Sequence, residues 1–113
     1  MNRKAEIKIS IELDKLKIPQ KLSWEATDSE SKGPKKCKAF LLNLWEPGKG
    51  QTLSMNLWEN SMSIPEMNDF VFQSLVQIAD TYEKATDQKE LAEKIRNSAL
   101  EVWESTNEGK SKK

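Results

Sequence analysis

Histidine is missing from this sequence, and cysteine occurs once, at Cys37. The first fact removes the commonest general base and the commonest transition-metal ligand. The second leaves too few thiols for a zinc site. Cys37 is the one strong nucleophile, and its neighbours Lys35, Lys36 and Lys38 would lower its pKa. No imidazole is present to take its proton, however, and it sits at a strand entrance after a polar loop, so its presence reads as incidental. Carboxylates are numerous, but Glu90, Glu93 and Lys94, and Glu101 with Glu104, fall at the spacings of an exposed helix face. A paired-acid hydrolase needs two carboxylates converging in a cleft, and nothing in the chain argues for one. Gly48-Lys49-Gly50 lacks the strand–loop–helix setting of a phosphate loop and reads as a turn. The expectation is a protein that is not an enzyme, with no cofactor and no metal.

What remains for chemistry is binding, and the aromatic residues point to where. Four tryptophans occur in 113 residues. Two of them stand third in a repeated tetrapeptide, Asn43-Leu44-Trp45-Glu46 and Asn56-Leu57-Trp58-Glu59, on either side of Pro47-Gly48-Lys49-Gly50. A symmetric loop predicts a hairpin in which Glu46 faces Gln51, followed by Leu44–Leu53, Leu42–Met55 and Phe40–Leu57. Side chains alternate along a strand, so these three apolar pairs share one face, the expected core face. The opposite face receives Ala39, Leu41, Asn43 and Trp45 against Thr52, Ser54, Asn56 and Trp58. Leu41, Trp45 and Trp58 are therefore the candidate partner-binding residues, since tryptophan is strongly enriched among interface hot spots. They could equally be covered by the loop before the hairpin, by the C-terminal tail or by a second copy of the chain. Trp24 and Trp103 fall on inward faces and read as core.

The elements that position this hairpin follow from periodicity. Ala5 to Leu13 alternates, with Ile7, Ile9, Ile11 and Leu13 on one side and Glu6, Lys8, Ser10 and Glu12 on the other. Lys21 to Ala26 reads as a second strand with Leu22, Trp24 and Ala26 inward. Residues 27–36 read as a flexible loop. Ser63-Ile64-Pro65-Glu66 is a capping-box pattern opening a helix, whose stripe runs through Met67, Val71, Leu75, Ile78 and Tyr82. Asp87-Gln88-Lys89-Glu90 reads as a second box, and Leu91, Ile95, Ala99 and Val102 as a second stripe. Asn107-Glu108-Gly109 should stop that helix and leave a disordered tail at 108–113. The expected architecture is one α+β domain over residues 1–113: a four-stranded antiparallel meander followed by two helices packed on one face.

Composition narrows the setting. The net charge is zero, yet residues 1–38 carry +4 and residues 39–113 carry −4. Most simply these are two solvated faces; a sharper reading is self-association, basic sheet edge to acidic helix. No basic stripe with interleaved aromatics argues for nucleic acid. No apolar run approaches the roughly 18 residues of a membrane span. With one cysteine and no visible secretory signal, the expected compartment is the cytoplasm.

The segment Glu12-Leu13-Asp14 with Ile18-Pro19-Gln20-Lys21-Leu22-Ser23-Trp24 resembles the start of the gliding-motility protein GldC family. Leu53 to Trp58, Met62 to Met67, and Ala79 to Thr86 resemble it too, in the same order and at similar spacing. The set covers most of residues 6–86, while the final helix matches loosely. The resemblance implies a small cytoplasmic accessory protein of bacterial gliding machinery, with no enzyme activity, cofactor or mapped binding residues. The expected function is that of an adaptor acting by protein–protein binding. The alternative is an oligomeric holdase reminiscent, by architecture only, of the export chaperone SecB.

Overall fold

In the computed structural model, which describes residues 2–28 and 32–111, the chain forms two compact units, Met1–Met62 and Ser63–Lys113. Strands β1 (Ile7–Leu13) and β2 (Pro19–Ala26) pair antiparallel. Ile7, Ile9 and Ile11 stand opposite Ala26, Trp24 and Leu22, so the two inward sets share a face. Leu22, 1% exposed, is the one large side chain fully buried there. The turn between the strands hangs on Asp14, whose Oδ1 accepts the N–H groups of Leu16 (2.8 Å) and Ile18 (2.9 Å). That closure forces Lys17 into the left-handed region at φ 64°.

The expected four-stranded meander does not form. The strands make a three-stranded sheet, β1-β2-β3, and a separate two-stranded sheet, β4-β5. Strand β3 (Lys35–Cys37) occupies the end of the stretch read as loop, and residues 29–31 of that stretch lie outside the described residues. Only Lys38 separates β3 from β4 (Ala39–Glu46). The β2–β3 pairing ends at Leu22 and Cys37, and Pro19 at the start of β2 would not help to prolong it. Extending the β2–β3 register, in which Leu22 faces Cys37, would set Phe40 opposite Pro19. Proline has no N–H to give such a ladder, and its carbonyl instead accepts from the N–H of Asn60 at 3.0 Å. The Lys38 carbonyl accepts from the N–H of Glu59 at 2.6 Å. Just past the end of β5 (Gln51–Trp58), Glu59 prolongs the β4–β5 ladder and Asn60 ties it to the start of β2.

The second unit is a helical hairpin, α1 (Ile64–Thr86) and α2 (Lys89–Ser111). The capping box forms as expected: Ser63 Oγ accepts the Glu66 N–H at 3.2 Å, and Glu66 Oε1 accepts the Ser63 N–H at 2.9 Å. Asp87 does something other than open α2. It ends α1 in the left-handed conformation (φ 57°), its N–H reaching the Glu83 carbonyl, a position that Asp tolerates better than most residues. The helices meet through Ala79, Ala92 and Ala99, all buried, because small side chains let the two backbones approach. Phe72 and Trp103 stack at 5.1 Å between centroids. α2 runs past the expected stop at Asn107-Glu108-Gly109; a single helical glycine costs only about 1 kcal/mol. Of the expected tail, residues 112 and 113 lie outside the described residues.

Candidate binding surface on the β4–β5 hairpin

The hairpin takes the register that its symmetric loop predicts, pair by pair from Glu46↔Gln51 to Ala39↔Trp58. Gly48 (φ 88°) and Gly50 (φ 62°) supply the left-handed residues that turn the chain. This register puts Leu41, Trp45 and Trp58 on one face, and all three are open to solvent: 47%, 66% and 55% exposed. Trp45 pairs with Thr52 near the tip, and Trp58 pairs with Ala39 at the base. Six residues of strand, about 20 Å at 3.3 Å per residue, separate them. Between them Ser54 Oγ donates to Asn43 Oδ1 at 2.6 Å, satisfying the polar centre of the face. None of its eight outward residues is charged. The side of β1 that carries Lys8, Ser10 and Glu12 has the opposite character.

Two features of the site escaped the sequence. Trp58 lines a cleft of about 340 Å³ with Lys17, Ile18, Pro19, Leu57 and Asn60, where the β1–β2 turn meets the end of β5. The contact depends on the Asn60–Pro19 hydrogen bond, which periodicity does not encode. The second concerns the expected core face. Phe40, Leu42 and Leu57 are half-buried, but Leu44, Leu53 and Met55 are exposed. The tip of the hairpin is therefore apolar on both sides.

Two places where chemistry was sought can be described residue by residue. Cys37 is part-buried, and its pKa is raised, first by burial and then by the Glu59 carboxylate. The shift is opposite to the lowering expected from the neighbouring lysines, because burial of the thiol, with the Glu59 charge second, disfavours the thiolate. Carboxylates do converge at one place, an open depression of about 430 Å³ lined by Asp80, Glu83, Lys84, Asp87 and Arg96. Arg96 Nη2 donates to Glu83 Oε1 at 2.6 Å and to Asp80 Oδ1 at 2.9 Å. Those hydrogen bonds, that to Glu83 first, raise the Arg96 pKa further. The arrangement clamps α2 to α1 at the edge of a depression open to solvent. Among the described residues, no three His, Cys, Asp or Glu side chains are grouped to hold a metal ion. No helix among them is long and apolar enough to cross a membrane.

The protein-family model described as gliding motility-associated protein GldC-like matches residues 19–108. The chain belongs to this family. The match begins at Pro19, whose carbonyl anchors the end of β5, and runs through the hairpin and most of both helices. Neither a curated protein nor a solved structure matches the chain.

Proposed function

We propose that the chain is a non-enzymatic, cytoplasmic accessory protein of the gliding-motility machinery, acting as an adaptor through the outer face of the β4–β5 hairpin. Family membership supports the association with gliding. The observation that carries the binding role is the uncharged face bearing Leu41, Trp45 and Trp58, with both tryptophans more than half exposed. Interface cores are depleted in charge and enriched in tryptophan, and that is the composition of this face. The partner is a protein that buries both ends of a strip about 20 Å long. The test compares the wild type with Trp45→Ala/Trp58→Ala in affinity capture from a gliding relative. A gliding component held by the wild type and lost from a folded double variant supports the reading. Equal retention by both sinks it.

One observation favours the alternative, an oligomeric holdase for unfolded or exported chains. The hairpin tip exposes apolar side chains on both faces, with Leu44, Leu53 and Met55 opposite Trp45. A holdase suppresses aggregation of an unrelated denatured client at near-stoichiometric amounts. Indifference to such clients, with capture of one native partner, rules it out.

A further inference from the structure

The helical unit carries a second apolar surface that the α1–α2 contact leaves unused. On α1, Val71, Leu75, Ile78, Tyr82 and Ala85 repeat at alternating steps of four and three residues, along a row to one side of the buried Ala79. On α2, Leu91, Ile95, Ser98 and Val102 repeat in the same way beside the buried Ala92 and Ala99. In an antiparallel pair of right-handed helices, both rows fall on the same side of the hairpin, so they form one continuous face. Ile78 and Leu91 are 48% and 46% exposed on it. Beside Ile78 an open depression of about 480 Å³ is lined by Gln77, Thr81, Tyr82 and Ala85. Residues 70–79 contain no charge at all. By helical spacing, every charged residue of α1 falls on the rest of its circumference.

We propose that this face binds the same face of a second copy, giving a four-helix bundle about a two-fold axis through Ile78. The helices set their own levels: Phe72 stacks on Trp103, and Asp80 pairs with Arg96. Residue 78 of α1 is therefore level with residues 97–98 of α2. An axis at that level, with α1 antiparallel to its copy, sets Val71 opposite Ala85, Leu75 opposite Tyr82 and Ile78 opposite itself. The same axis sets Lys94 opposite Glu101, twice by symmetry. Both residues lie on the outer edge of the α2 row, so the rim is charge-complementary to itself while the centre is uncharged. This matters because residues 64–106 hold nine carboxylates against four basic side chains, and two such hairpins repel except where charges are absent or matched. The area is sufficient. Each helix has 23 residues, about 34 Å at 1.5 Å per residue. With axes about 9 Å apart the face covers roughly 600 Å², so two copies bury about 1,200 Å², the lower bound of a specific stable interface.

The test uses the full chain. Light scattering over a dilution series should give a dimer at tens of micromolar, and Ile78→Lys should weaken it at least 100-fold with helical circular dichroism retained. Gln73→Lys, on the opposite side of α1, should leave the dimer intact. Lys94→Glu and Glu101→Lys should each weaken association, and the two together should restore it. In a Cys37→Ser background, Ile78→Cys should cross-link to its copy under mild oxidation, and Gln73→Cys should not. A monomer at every concentration overturns the proposal. So does a dimer that survives Ile78→Lys but is lost in Trp45→Ala/Trp58→Ala, which places the interface on the β4–β5 hairpin.

Discussion

Replacing Trp45 with alanine separates a binding tryptophan from a structural one, and the structure fixes how large each effect should be. A tryptophan can bury about 150–250 Å², and Trp45 is 66% exposed, so folding covers roughly 70 Å² of it. At about 25 cal/mol per Å², its loss costs about 1–2 kcal/mol of stability. The remaining surface, roughly 130 Å², is available to a partner and corresponds to about 3 kcal/mol, or a loss of affinity on the order of 100-fold. Leu22→Ala is the calibrator. At 1% exposure it should cost about 3–4 kcal/mol with a cavity left behind. Urea unfolding followed by circular dichroism reads both variants without relying on tryptophan fluorescence. If Trp45→Ala is as damaging as Leu22→Ala, Trp45 is part of the core and the reasoning from exposure fails.

Other outcomes follow from local geometry. Lys17→Gly should stabilise the protein by about 0.5–1 kcal/mol in urea unfolding, because Lys17 sits at φ 64° and glycine relieves that strain. Ser63→Ala should cost about 1 kcal/mol through loss of the cap on α1, read as a lower midpoint. The Cys37 thiol, its pKa raised by burial and by Glu59, should be alkylated more slowly at pH 8 than a free cysteine peptide, and Glu59→Gln should speed it. The sign for stability follows from linkage. The folded state holds the thiol proton more tightly than the unfolded state. Its contribution is present below the ordinary thiol pKa and is lost as pH rises through the raised value. A Cys37→Ser variant should show a shallower loss of stability on the alkaline side.

What could be read from the sequence was which residues share a face. The β4–β5 register was legible because the loop is symmetric and alternation permits one in-register solution. The capping box at Ser63 was legible because its two hydrogen bonds are local. The family was legible from an ordered set of short segments. Division of the sheet was not, since where β2–β3 pairing stops and how Asn60 reaches the Pro19 carbonyl are contacts between distant parts of the chain. Alternation also says nothing about what covers a face. It placed Leu44, Leu53 and Met55 together correctly, and their exposure of 44–46% is not something alternation can foretell. Asp87 fits two local patterns, and the left-handed end of α1 used it before a second capping box could.

The most direct test of the hairpin face as a partner surface is acrylamide quenching of variants that keep either Trp45 or Trp58 as the sole tryptophan, the others being replaced by phenylalanine. Both should be quenched readily from nanomolar to tens of micromolar protein, with protection only when the captured gliding component is added. Shielding of either tryptophan in the isolated monomer, or shielding that grows with the protein's own concentration, would contradict a partner role for this face.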